Sequence, residues 1–218
     1  MLDLSLRAVK DRVFDPVCKA VPASISPLQL TGLALICGLS SCYSTATGGS
    51  IRISLSLWAL NRVLDCLDGA VARQRQQTSE LGGFLDLLGD FIVYSLIPIA
   101  CAMSPLASAG EEAWLAVSLL EAAIHINNFV LFYVAAVVEK KKNDVAKKDE
   151  NGHGEQRQKE LTSVAMMPAL IEGFESGTIF TVMLVRPQSV GLLSSVMAVL
   201  VFAGTMQRVA KVISVLRK

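Results

Sequence analysis

The 218-residue chain is poor in charge (18%) and in aromatic side chains (6%), and it holds two histidines. Its formal net charge is +1, and no basic stripe with interleaved aromatics occurs, so no nucleic-acid partner is expected. The five cysteines, Cys18, Cys37, Cys42, Cys66 and Cys101, form no CxxC pair. They read as plain buried or lipid-facing thiols, which argues against a zinc site and against a disulfide framework. No internal repeat is visible. No apolar run precedes residue 28, and acidic and basic residues interrupt the first segment, so the N-terminus does not read as a signal peptide.

What the chain has is hydrophobic length. It is 52% hydrophobic, in long stretches separated by short polar ones, which excludes a disordered chain and argues against a soluble globule. A bilayer core of roughly 30 Å is crossed by about 20 mostly apolar helical residues. Six stretches qualify: Leu28–Thr47, Ile53–Ala72, Gly82–Met103, Ala113–Val138, Leu161–Val185 and Val190–Ile213. The second and third carry aspartates, yet the runs Ile53–Leu64 and Phe91–Met103 are strongly apolar. Before them, Leu2, Leu6, Val9, Val13 and Val17 fall near helical spacing, opposite Arg7, Lys10 and Asp11. That pattern predicts an amphipathic helix lying on the membrane surface and broken near Pro16 or Pro22.

The expected architecture is therefore an all-α integral membrane protein, with six transmembrane helices and an N-terminal interfacial amphipathic helix. It forms one membrane domain over residues 1–218. Residues 1–27 are the interfacial helix and entry, 28–138 hold spans one to four, 139–160 form a polar loop and 161–218 hold spans five and six. Within the loop, Asn143–Gln158 reads as solvated chain. Orientation follows from lysine and arginine. The N-terminal segment, the Arg73/Arg75 turn, the Lys140–Lys159 loop and the C-terminus carry 17 of the 20 basic residues, against Arg52 and Arg186 on the opposite side. The basic side is expected to be cytoplasmic.

Chemistry concentrates at the junction of spans two and three. Asp65 and Asp68 are i,i+3 and share a helix face, with Asn61 one turn before them. Asp86 and Asp90 are i,i+4 and also share a face. Asp68 lies five residues before Arg73, and Asp86 five after Leu81, so each sits roughly 7 Å inside its helix from the connecting turn. Two antiparallel neighbours would present four carboxylates at one level, just below the cytoplasmic surface. Only Arg62 and Arg73 are near in sequence, too few to neutralise four. Divalent cations relieve the repulsion, and an all-oxygen donor set suits Mg²⁺, Mn²⁺ or Ca²⁺. Two ions held by four aspartates suit in-line phosphoryl transfer. Gly69, Gly82 and Gly83 clear space for a ligand and a neighbouring helix, and Arg73 is placed to bind a phosphate or pyrophosphate.

The run Asp68-Gly69-x-x-Ala72-Arg73, eight residues, Gly82-x-x-x-Asp86-x-x-x-Asp90, with Asp65 three positions upstream, resembles the signature of the CDP-alcohol phosphatidyltransferase family. Every fixed position is present at the family's spacing. The resemblance implies transfer of a phosphatidyl group from CDP-diacylglycerol to an alcohol with loss of CMP, and it assigns roles by matching position. Asp65, Asp68 and Asp86 would hold two Mg²⁺ or Mn²⁺ ions, and Asp90 would be both a metal ligand and the general base. Gly69, Ala72, Arg73 and Gly82 would contact the CDP moiety. Ser79 matches a Ser/Thr often found in the connecting turn and is also placed to cap span three. Pro27-Leu28-Gln29-Leu30-Thr31 resembles the family's Pro-Asn-x-x-Thr entry to span one, with Leu28 in place of Asn, and puts Thr31 at the nucleotide. The resemblance also implies a homodimer.

Other intramembrane polar groups are Glu121, His125 and Asn128 on one face of span four, and Glu172, Glu175 and Thr178 in span five. Glu172 and Glu175 are candidates for a cavity wall or an acceptor site, as is Arg208 near the cytoplasmic end of span six, beside Lys211. His153 carries no assigned role. Two other functions compete. One is transfer of a phospho-alcohol from a soluble CDP-alcohol to diacylglycerol, which the family's longer chains perform. The other is a cation transporter, which would place its charges near the midplane, often on broken helices of related halves. The third-span text Asp86–Tyr94 lacks the Asp-Pro and Ala-Asp-Lys elements typical of glycerophosphate-accepting members, leaving serine, an inositol compound or a second lipid alcohol as acceptors.

Overall fold

The computed structural model describes residues 17–147 and 173–217. Among the described residues every regular element is helical: α1 (Pro27–Ala46), α2 (Ile51–Gln74), α3 (Glu80–Met103), α4 (Glu111–Lys147), α5 (Gly173–Val185) and α6 (Val190–Leu216), with a 3-10 turn at Pro187–Ser189. Most of the expected interfacial helix, and the segment that includes Glu172, lie outside the described residues. Residues 17–20 are helical, and the helix ends before Pro22, where a break was expected. The chain divides into two compact units, Met1–Val117 with Gly173–Ser194, and Ser118–Glu172 with Ser195–Lys218.

Local chemistry sets the helix ends. Ser26 and Gln29 form a reciprocal capping box, with Ser26 N–H donating to Gln29 Oε1 (2.8 Å) and Gln29 N–H to Ser26 Oγ (3.3 Å). Pro27 then opens α1 with a backbone angle already suited to a helix. At the end of α2, Gln77 N–H bonds Ala72 O (2.8 Å), Gln76 N–H bonds Arg73 O (3.2 Å), and Gln76 takes a left-handed φ of 55°. This is the double-bonded stop usually built on glycine. Ser79 caps α3 as expected, accepting from Gly82 N–H at 3.0 Å. One boundary differs from expectation: α4 runs through Asn143 to Lys147. Its last turns are rich in Lys, Glu and Ala, good helix formers, and neither Gly nor Pro interrupts the sequence before Gly152.

Among the described residues, three helical stretches are long and apolar enough to cross a membrane: Glu80–Met103, Glu111–Val137 and Pro187–Ser214. α2 is less apolar because it carries Arg52, Arg62, Asp65, Asp68 and Arg73. Large apolar side chains point outward along the helices, among them Ile36, Leu119, Phe129, Leu192 and Val199. Such faces are stable in lipid and not in water. The chain is a membrane protein.

In the first unit, α1 packs along α2 and α3, and α5 packs on α3 and α2. Leu30, Ala34 and Cys37 of α1 meet Leu64, Leu67 and Val71 of α2, with Cys18, Val21 and Ile25 against them. Gly38 lets α1 and α3 touch: a Cβ there would lie 2.5 Å from Val93 Cγ2. Asn61 Nδ2 donates to Ala34 O (2.8 Å), tying α2 to α1 one turn above the aspartates. In the second unit, the Thr205 hydroxyl (3.2 Å) and Arg208 Nη1 (2.7 Å) of α6 both donate to Asn127 Oδ1 of α4.

Candidate active site

The α2–α3 turn brings the motif residues to one place. A cavity of about 460 Å³ is lined by Thr31 of α1, Asp68, Gly69, Ala72 and Arg73 of α2, Ser79 at the cap, and Gly82 and Asp86 of α3. Asp68, only 4% exposed, accepts a hydrogen bond from the Thr31 hydroxyl at 2.5 Å. Thr31 is anchored one turn back by Pro27 O (3.1 Å). A Cβ at Gly69 would meet Arg73 Nη1 at 3.2 Å, so the guanidinium lies over the bare backbone of Gly69. A Cβ at Gly82 would crowd the capping Ser79 Oγ at 3.1 Å. Nothing lies within 4 Å of the missing Cβ of Gly83, which faces open space on the cavity wall.

Asp65 and Asp90 stand beyond the lining. Asp65 and Asp86 lie within hydrogen-bond reach of each other. Asp90 Oδ1 accepts from Arg62 Nη2 at 2.7 Å, and Arg62 Nη1 lies 3.7 Å from Asp65 Oδ2. The carboxylates are thus gathered on two facing helices but engaged pairwise. Among the described residues, no three His, Cys, Asp or Glu side chains converge closely enough to enclose an ion as they stand.

A family model for CDP-alcohol phosphatidyltransferase matches residues 24–206. The chain belongs to the CDP-alcohol phosphatidyltransferase family. It is 32% identical over 133 residues to an archaetidylinositol phosphate synthase of Methanothermobacter thermautotrophicus, covering 61% of this chain and 62% of that one. An inner membrane protein YnjF of Escherichia coli is 38% identical over 92 residues, 42% and 44% of the two chains. A CDP-diacylglycerol–serine O-phosphatidyltransferase of Mycobacterium leprae is 31% identical over 101 residues, 46% and 33% of the two chains. In each case the match spans less than two thirds of the relative's length.

Some residues that build this family member's site carry no motif. Arg75 donates to Ile25 O (2.7 Å), Val21 O (2.7 Å) and Pro22 O (3.2 Å), pinning the entry segment to the end of α2 and so bringing Thr31 to Asp68. Gln77 and Thr78 line the cavity because the left-handed turn at Gln76 folds them back. Arg62 sits among the aspartates. Of the remaining candidates, Glu175 is on α5, Arg208 is 5% exposed and bonded to Asn127, and His125 Nδ1 lies 3.3 Å from Glu121 O. Sequence spacing singled out Asn128, but the amide that bonds α6 is Asn127.

Proposed function

We propose that the protein makes a phospholipid by transferring the phosphatidyl group of CDP-diacylglycerol to an alcohol, with CMP as the leaving group. One observation carries this reading: the motif residues Asp68, Gly69, Ala72, Arg73, Gly82 and Asp86 line one cavity of about 460 Å³, with Thr31 and Ser79 beside them. That volume suits a nucleotide head group. In the reaction the alcohol oxygen attacks the phosphorus that bears diacylglycerol. The bond from that phosphorus to the bridging pyrophosphate oxygen breaks, the electron pair leaves with CMP, and Asp90 takes the hydroxyl proton.

Arg73, beside Gly69, binds the pyrophosphate through its guanidinium fork. The bare backbone of Gly69 and Gly82 and the small side chain of Ala72 let the cytidine phosphate approach the helices. Thr31 fixes the orientation of Asp68. Asp65, Asp68, Asp86 and Asp90 would hold two Mg²⁺ or Mn²⁺ ions. Their all-oxygen chemistry fits such ions, and the mutual approach of Asp65 and Asp86 calls for positive charge. When bound, the ions supply charge stabilisation for the pyrophosphate and the leaving CMP.

In this reading α1 to α4, the Leu161–Val185 segment that ends in α5, and α6 are six spans of a multi-pass protein that works as a homodimer, and the Arg73 turn faces the cytoplasm. Single cysteines placed at Gln76 and Ser50, in a background lacking the native cysteines, then label from opposite sides of the membrane. Labelling from the same side contradicts six spans in this orientation. The relatives' names make an inositol compound and serine the first acceptors to try.

The substrate test incubates the purified protein and Mg²⁺ or Mn²⁺ with CDP-diacylglycerol plus L-serine, myo-inositol, myo-inositol 1-phosphate or a phosphatidyl lipid. CDP-choline with diacylglycerol is run in parallel. CMP release is expected from CDP-diacylglycerol. Turnover confined to CDP-choline and diacylglycerol would instead establish the competing phospho-alcohol transfer.

A further inference from the structure

Arg62 lies outside the sequence signature, yet all three of its guanidinium nitrogens are engaged. Its Nε donates to Asn61 Oδ1 (2.8 Å), its Nη1 to the Tyr94 hydroxyl (2.7 Å) and its Nη2 to Asp90 Oδ1 (2.7 Å). The guanidinium carbon lies 4.8 Å from the Trp58 ring centroid and 5.0 Å from that of Tyr94. Those rings are themselves braced by α5. Phe180 sits 5.1 Å from Tyr94 and 6.4 Å from Trp58, and Trp58 Nε1 donates to Thr181 Oγ1 at 2.9 Å. Asn61 is fixed in turn by Ala34 O. All three nitrogens therefore bond groups anchored to three other helices or to α2 itself, so the guanidinium is a fixed point to which a carboxylate must come.

We infer that Arg62 is a positioning residue that holds Asp90 for proton transfer, and the internal cation that limits how tightly the aspartates bind their divalent ions. The inference rests on the metal-dependent transfer proposed above. Two properties of the side chain act separately. Its planar fork sets direction: the bond to Oδ1 orients Asp90 and leaves Oδ2 to take the proton. A lysine carries the charge but not the fork. Its charge sets affinity: one fixed positive charge bonded to Asp90 and near Asp65 opposes the arrival of further cations. Removing the side chain should thus move two measurements in opposite directions, tightening ion binding while slowing transfer. A merely structural arginine would loosen the site and weaken both.

The test uses the purified full chain in detergent. Mn²⁺ affinity is read from the electron paramagnetic resonance signal of free Mn²⁺. Turnover is read as CMP release from CDP-diacylglycerol with a mixture of L-serine, myo-inositol and myo-inositol 1-phosphate. Arg62→Gln is expected to bind Mn²⁺ about tenfold more tightly and to lower kcat on the order of a hundredfold. Arg62→Lys is expected to restore wild-type Mn²⁺ affinity but not kcat. Tyr94→Phe, which frees one arm of the fork and keeps the charge, should leave Mn²⁺ affinity unchanged and reduce kcat about threefold. Unchanged or weaker Mn²⁺ binding by a folded Arg62→Gln, or full kcat in Arg62→Lys, overturns the inference. If Arg62→Gln fails to fold, Arg62→Lys and Tyr94→Phe still decide it. Asp86→Asn separates this outcome from failure of the underlying reading: if that variant binds Mn²⁺ as the wild type does, the ion assignment itself is wrong.

Discussion

The α1–α2 pair is polar at both ends, in two different ways. Toward the Gly48 turn, the Ser41 hydroxyl donates to Ser54 O (2.8 Å), Ser54 Oγ to Ser44 Oγ (2.9 Å) and Thr45 Oγ1 to Ser41 O (2.9 Å). These groups are neutral and small, Ser41, Thr45 and Ser54 are buried and Ser44 is half-buried, and each bond closes within the pair. Toward the Arg73 turn, Thr31 and Asp68 meet beside a cavity, and four carboxylates face one another from two helices, with Arg62 among them. Neutral hydroxyls at the first end glue helices together in lipid. Unbalanced charge around an open space at the second end calls for a charged ligand. Polarity within a span is therefore not itself a sign of chemistry; charge in excess of its partners, next to space, is.

Substitutions should separate the two ends. The largest effect is expected for Asp65→Asn or Asp86→Asn, with CMP release lowered on the order of a thousandfold or more at saturating Mg²⁺ or Mn²⁺. Near-normal release by either would end the metal assignment. Asp90→Asn should slow turnover by about two orders of magnitude while CDP-diacylglycerol binding, measured directly, weakens less than in Asp65→Asn. Equal loss of binding in the two variants would make Asp90 chiefly a ligand. Arg73→Ala should raise KM for CDP-diacylglycerol by roughly ten- to a hundredfold through loss of charged hydrogen bonds to the pyrophosphate. At the closed end, Ser54→Ala should leave turnover unchanged and cost about 0.6 kcal/mol of stability, read in thermal unfolding. A large loss of activity there would break the distinction between the ends.

Much of the candidate site was legible because the helical period alone fixes it. The spacings Asp65/Asp68 and Asp86/Asp90 put each pair on one face, and the short α2–α3 turn brings those faces within side-chain reach, while α1 is the helix that packs along both. Ser79 was legible as a cap for the same local reason. Arg62 and Arg75 were not, because their partners are chosen by how helices cross. Arg75 binds backbone carbonyls, which leave no trace in side-chain spacing. The bracing of Arg62 needs Trp58, Tyr94, Phe180 and Thr181, which come from three helices. Gly38 reads as an ordinary helix glycine until Val93 is seen against it. In the second unit, Asn127 and Asn128 are adjacent in sequence, and a rotation of one residue about the helix decides which faces Arg208. The end of α4 was misjudged because charge density suggested a loop where helix propensity continued to Lys147.

The central claim is that the aspartates at the open end work through divalent ions on CDP-diacylglycerol. The most direct measurement strips the purified protein with EDTA and follows CMP release as Mg²⁺ or Mn²⁺ is returned. The account predicts no release from the stripped protein, saturable recovery on adding either ion, and no recovery in Asp86→Asn. Undiminished CMP release from the stripped protein would contradict it.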